Sequence, residues 1–145
     1  IYIIHEWKCY IDVYFYEERK GQPFFEKIQT VTTSSVEKGS PNAASALSFS
    51  EDHKYLLTTL AGDNAAVLFS VDEESGKLTE IFSLPVSGDY PKDAILFPNN
   101  KFLVSLNHES NEMTFFHVDI KNKTMVMNGP PVQVDVPNCI TFHKL

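Results

Sequence analysis

Cysteine is scarce in this sequence: Cys9 and Cys139 are the only two in 145 residues. Thiols so far apart make no disulfide framework, and without a CxxC pair the usual zinc and redox signatures are missing. A reduced, cytoplasmic setting is the default expectation. No apolar run approaches the roughly 18–20 residues that a membrane-spanning helix needs. Basic residues are also few. Twelve Lys and Arg stand against 19 Asp and Glu, a net charge of −7. That balance gives no overall electrostatic reason to hold nucleic acid or an anionic membrane. The chain lacks an initiating Met and a signal-peptide pattern, and opens inside the apolar run Ile1-Tyr2-Ile3-Ile4. It is therefore expected to be a piece of a longer chain. Finally, no window of about 11 residues carries an i, i+3, i+4, i+7 apolar stripe, so helices are not expected.

What is present is β-forming. Val, Ile, Thr and the aromatics make up 48 residues, a third of the chain. These types suit a pleated, half-buried surface. With 43% apolar and 21% charged residues the composition is that of a globular domain. Short apolar runs alternate with turn clusters: Tyr55-Leu56-Leu57, then 66–71, then 78–82, separated by Gly62-Asp63-Asn64 and by Asp72-Glu73-Glu74-Ser75-Gly76. Short strands at regular spacing predict an all-β meander of hairpins.

The runs also repeat. Lys54-Tyr55-Leu56-Leu57 matches Lys101-Phe102-Leu103-Val104, and Phe69-Ser70-Val71-Asp72 matches Phe116-His117-Val118-Asp119, both at an offset of 47. Residues 46–50 correspond to 94–98 at offset 48, and Gly76-Lys77-Leu78-Thr79 to Asn122-Lys123-Thr124 near offset 46. A third, incomplete copy opens the chain, with strands expected at 2–4, 10–16 and 26–30 and its first strand missing. Four strands per unit of about 40–50 residues is the pattern of a β-propeller blade. The predicted fold is an all-β propeller fragment of about two and two-thirds blades, divided as 1–40, 41–91 and 92–145. An eleven-stranded sandwich is the ordinary alternative. Such a count cannot close a ring, so bare blade faces and edges are expected to self-associate or to meet missing blades.

Several segments resemble the seven-bladed β-propeller lactonase family. Ser50-Glu51-Asp52-His53-Lys54-Tyr55-Leu56 is similar to its SPDGKYL-type turn. Ser87-Gly88-Asp89-Tyr90-Pro91-Lys92-Asp93 resembles its GDYPRDF segment, and Leu106-Asn107-His108-Glu109-Ser110-Asn111 its ANQDSN turn. Ile3-Ile4-His5-Glu6 resembles its VINE motif, and residues 134–140 its last strand. The ordered series covers nearly the whole chain and corresponds to the C-terminal part of a family member.

The resemblance implies a seven-bladed ring with a site at the channel mouth, built from a His, two Arg and the Glu of the VINE motif. It implies hydrolysis of a sugar lactone, with 6-phosphogluconolactone the leading substrate, and no cofactor or metal. Glu6 matches the catalytic Glu. The family His and first Arg would lie before Ile1. The second Arg corresponds to Ala61, the Arg of the PRDF segment to Lys92, and the Asn before the Glu to His5. Lactone opening needs a base for water and cations or hydrogen-bond donors for the developing oxyanion. A phosphorylated substrate also favours the guanidinium fork. Ala61 offers none of this, so the chain is expected to be inactive or impaired alone. A non-catalytic propeller that binds or scaffolds is the competing function.

Glu6 is thus the catalytic candidate, and Lys92, Asp93 and His5 are candidates for substrate binding. Each has an ordinary reading beside the functional one. Glu6 is also a solvated strand-end carboxylate, Lys92-Asp93 a loop ion pair, and His5 a polar rim residue facing away from Glu6. Trp7 and the aromatics at 10–16 suit either sugar stacking or, more simply, core packing between blades. His108, His117 and His143 lack ligand spacing. Cys139 reads as buried and Cys9 as a turn residue open to solvent. Glu17-Glu18 and Glu73-Glu74 read as turn charges.

Overall fold

The computed structural model describes residues 1–33 and 42–143. Its described residues form three antiparallel meanders. The first sheet holds β1 (Tyr2–His5), β2 (Tyr10–Arg19) and β3 (Gln22–Thr32). The second holds β4 (Ala44–Phe49), β5 (Tyr55–Leu60), β6 (Ala65–Val71) and β7 (Leu78–Pro85). The third holds β8 (Pro91–Leu96), β9 (Phe102–Asn107), β10 (Glu112–Asp119) and β11 (Thr124–Met127), with β12 (Val132–Gln133) also against β10. Three strands, then four, then four is the expected series of two and two-thirds blades. The expected boundary between residues 40 and 41 lies outside the described residues.

The repeat is visible in the backbone. Left-handed φ values recur at a spacing of 47: His53 (58°) with Asn100 (57°), Asn64 (50°) with Asn111 (55°), Gly76 (70°) with Lys123 (55°). The left-handed pair for Gly76 is therefore Lys123, one residue beyond the match read from the sequence. Asn64 and Asn111 suit such positions because their short polar side chains bond locally. Each accepts a crossover N–H on its carbonyl, from Val86 and Val134, and another on Oδ1, from Tyr90 and Val136. Cys9 (φ 48°) fills the same place in the first blade, where its carbonyl takes Thr33 N–H.

Burial follows from stacking. One core lies between the first two sheets, where Ile11 and Val13 meet Leu56, Leu60, Val67 and Phe69. A second lies between the last two, where Leu57, Ala66 and Leu68 meet Leu103, Phe116 and Val118. The middle blade is covered on both faces, so residues 65–69 of β6 are all buried. The outer blades have one covered face each. Near the inner edge, Ser48 Oγ donates to Ala94 O at 2.9 Å and joins β4 to β8.

Several expectations change. β2 and β3 extend to Arg19 and Thr32, so Glu17 and Glu18 lie in a strand and the turn is Lys20-Gly21. The β2–β3 hairpin has a bulge between Val13 and Tyr14 and is longer than the β5–β6 hairpin of the middle blade. Phe15 and Tyr16, beyond the bulge, are 45% and 49% exposed rather than packed between blades, and Trp7, on the first turn, is 82% exposed. The two cysteines exchange roles: Cys9 is buried beneath its turn and Cys139 is exposed. The tail at 134–140 forms no ladder. It is held by Asn111 and by Asp93 Oδ2, which accepts Ile140 N–H at 2.9 Å. The fourth strand of the last blade is split into β11 and β12 by Gly129-Pro130-Pro131, because proline has no N–H for the ladder.

Candidate functional site

Each second strand ends at one end of the stack, where the turns to the third strands and the crossovers between blades gather. The closing pairs are His5 with Tyr10, Leu60 with Ala65, and Asn107 with Glu112. One residue further on stand Glu6, Ala61 and His108, in equivalent register. Ala44 N–H donates to Glu6 O at 2.9 Å, which joins the first of these turns to the inner strand of the next blade. Lys92 and Asp93 lie at the start of β8, opposite the end of β9. All the sequence candidates therefore share this end of the molecule.

Their surroundings differ. The Glu6 side chain is exposed and makes no hydrogen bond or ion pair with any described residue. Lys92 is half-buried, with Nζ 4.8 Å from the centre of the Tyr90 ring. It sits in a strand, at a bulge between Pro91 and Asp93, and not in a loop ion pair with its neighbour. Bulges re-aim side chains beside sites. Asp93 is committed to backbone: Oδ1 accepts Ala94 N–H and Oδ2 accepts Ile140 N–H.

His5 turns away from Glu6. Its Nε2 lies 3.2 Å from Oδ2 of Asp12, whose other oxygen accepts the Thr30 hydroxyl, with Lys27 Nζ at 3.5 Å. The Asp12 carboxyl is held below the usual carboxylate range by the Thr30 hydroxyl above all. Burial opposes this, while Lys27 and His5 add to it. The Tyr10 ring covers His5 at 4.2 Å.

Ala61 is 3% exposed, its N–H donating to Ala43 O at 2.7 Å. The one arginine of the sequence, Arg19, lies at the opposite end of β2, paired with Glu17 and stacked on Phe24. Beside Ala61, Asn42 Oδ1 accepts the N–H groups of Gly62 and Asp63. Burial pushes the Cys9 thiol up, which disfavours the reactive thiolate. Among the described residues, no three His, Cys, Asp or Glu side chains gather as a metal set.

Sequence reasoning missed the place of His108, read only as a metal candidate. Carrying Ala61 forward by 47 residues would have found it. Its Nδ1 lies 3.2 Å from Pro137 O, and its ring 6.4 Å from Tyr90. The Asn107 beneath it is fully buried, bonded to Ser105 and Thr114. Thr114 in turn donates to Val86 O. Asn64 Nδ2 reaches Asp89 Oδ1 at 3.0 Å, so turns and crossovers form one polar rim.

Known proteins resemble the chain in sequence and fold. The chain is 25% identical over 118 residues to the 6-phosphogluconolactonase of Bacillus subtilis (strain 168), covering 81% of this chain and 34% of that protein. The chain thus spans about a third of that relative's length. It superposes on the periplasmic gluconolactonase PpgL of Pseudomonas aeruginosa with a TM-score of 0.82 and 24% identity, over 95% of this chain and 38% of that one. A Bacteroides fragilis structure gives 0.81 and 25% identity, over 99% and 38%. The model of the seven-bladed β-propeller lactonase family matches residues 1–142. With four-stranded blades, the 47-residue repeat and this match, the chain belongs to the lactonase family of seven-bladed β-propellers.

Proposed function

We propose that this chain forms part of a propeller that opens a sugar lactone to its acid, with 6-phosphogluconolactone the favoured substrate. The observation that carries the reading is Glu6: an exposed carboxylate, unpaired among the described residues, at the rim where the second strands end. In the proposed reaction Glu6 takes a proton from water as the water oxygen attacks the lactone carbonyl. Collapse of the tetrahedral intermediate breaks the ring C–O bond, and the proton passes to the departing alkoxide. Such proton transfer contributes about 10²–10⁴-fold. Lys92 supplies positive charge for the oxyanion or the substrate phosphate, without the two-pronged grip of an arginine. His5 and Asp93 support the walls of the site, through Asp12 and through the tail. The remaining blades of a longer chain are proposed to supply the other charged groups, and the free thiols fit a cytoplasmic location.

Hydrolysis of 6-phosphogluconolactone, corrected for its spontaneous opening, tests this. A longer chain carrying the other blades is expected to be active and the 145-residue chain impaired. Glu6→Gln in the longer chain should lower kcat/KM by about 10²–10⁴-fold. An unchanged rate would remove Glu6 from the mechanism. No activity in either chain would favour the second reading, a non-catalytic propeller, which the buried Ala61 at the arginine position supports.

A further inference from the structure

Three polar side chains meet where the second blade crosses to the third. Tyr90, Lys92 and His108 are each half-buried. The Tyr90 ring is their common neighbour: Lys92 Nζ lies 4.8 Å from its centre and the His108 ring 6.4 Å. Among the described residues the Tyr90 hydroxyl, Lys92 Nζ and His108 Nε2 have no hydrogen-bond partner.

The backbone that carries them is, by contrast, tied down. Tyr90 N–H donates to Asn64 Oδ1 at 2.8 Å, and Tyr90 O accepts His108 N–H at 3.0 Å. Tyr90 is held at a left-handed φ of 58°, which a bulky aromatic adopts only where its surroundings impose it. Strained residues of this kind cluster at ligand sites. Rigid support of free side-chain ends is what a binding site needs.

One ring nitrogen of His108 is committed. Nδ1 lies 3.2 Å from Pro137 O, and a carbonyl oxygen only accepts, so Nδ1 carries the hydrogen. In the neutral imidazole Nε2 is then an acceptor. An acceptor and an ammonium beside one aromatic ring suit a ligand that offers hydroxyl donors together with a carbonyl or anionic oxygen. A polyhydroxylated acid or its lactone has both.

We propose that Tyr90, Lys92 and His108 form a sugar-acid subsite on the third blade. His108 Nε2 accepts a ligand hydroxyl, and Lys92 Nζ holds the carbonyl or carboxylate oxygen. His108 stands two blades on from Glu6 in the same register, so subsite and carboxylate share one rim. The choice of a sugar acid as ligand rests on the lactonase reading. His108 acts here by binding and takes no proton in the reaction.

Gluconate, the hydrolysed counterpart of a gluconolactone, is the probe, because its binding needs no turnover. In protein labelled with 15N-histidine, two-bond proton–nitrogen spectra in mildly alkaline buffer should show His108 protonated at Nδ1. Gluconate should move the Nε2 resonance and leave Nδ1 in place, while acetate, which has no hydroxyls, should not. A hydrogen on Nε2, an unmoved Nε2, or an equal response to acetate overturns the proposal. His108→Leu should weaken gluconate binding by about 2–10-fold, the worth of one neutral hydrogen bond. His108→Gln loses the contact to Pro137 but keeps an acceptor near the place of Nε2, so it should recover most of that loss. Equal weakening in both variants would make His108 a tail anchor and overturn the proposal. In a longer, active chain His108→Leu should raise KM and spare kcat, the mark of uniform binding. A gluconate response without lactonase activity would support the subsite and remove the lactonase reading. Activity that depends on Glu6 with no gluconate response would overturn the subsite alone.

Discussion

His5 Nε2 lies 3.2 Å from Asp12 Oδ2, in the register that Asn107 and Thr114 occupy in the last blade. There the pair is neutral, fully buried and sealed by the Val86 carbonyl. In the first blade it is built on the Asp12 carboxylate, with Lys27 and Thr30 completing its shell. The same hairpin geometry thus carries two different polar solutions.

The carboxylate version predicts an acid-sensitive first blade. Folding lowers the Asp12 pKa from its ordinary value of 3.8. Its stabilisation is therefore present above that value and lost as pH falls through the lower folded one. Asp12→Asn should melt below the wild type at neutral pH, and the two should converge in acid. A difference that persists unchanged into acid would show that the charge is not responsible. The turn carboxylates Asp52, Asp72 and Asp119 are lowered too, chiefly by hydrogen bonds from Ser50, Ser75 and Asn122. They should steepen the acid limb in both proteins.

Gln29 joins the first two blades away from the inner edge. Its Nε2 donates to Leu78 O and its Oε1 accepts Leu78 N–H, each at 2.8 Å. Gln29→Ala should cost about 2 kcal/mol, since two hydrogen bonds go and two backbone groups lose their partner. Urea unfolding with an unchanged m-value would show this. A loss within a few tenths of a kcal/mol would mean that water replaces the amide fully.

Gly88 lies against a side chain that has nowhere to go. A Cβ there would stand 2.1 Å from Asn107 Nδ2, and that amide is already engaged with Thr114. Gly88→Ala should cost about 1–3 kcal/mol as overpacking. Asn107→Ala should absorb part of that cost, giving a coupling above about 0.5 kcal/mol in a double-mutant cycle. Additive effects would place the strain elsewhere.

Ala61→Arg tests the lost guanidinium at a structural price. Position 61 is buried, so the larger side chain should lower stability by about 1–3 kcal/mol. In a longer chain that still folds, any lactonase activity should rise. Intact folding with an unchanged rate would show that position 61 does not face the substrate.

Fold class was legible because it rests on local signals. Alternating runs such as 55–57 and 66–71, and a repeat of 47 residues, specify strands, turns and their order. The left-handed turns at His53 and Asn100 follow the same spacing. Solvent exposure was less legible. Tyr14, Phe15 and Tyr16 alternate like Ile11 and Val13, yet only the latter two reach the core. The bulge at Val13 and Tyr14, and the length of the hairpin beyond it, are invisible in composition.

The amino-acid sequence by itself determined the strands, the blade period and the absence of a guanidinium at position 61, because these are properties of residue identity and spacing. Only the tertiary structure decided that Cys9 is buried and Cys139 exposed, that Asp12 is the partner of His5, and that Asp93 anchors the tail. These depend on which face of a blade meets another blade. Contacts between segments tens of residues apart set that, and a period of two along a strand cannot encode it.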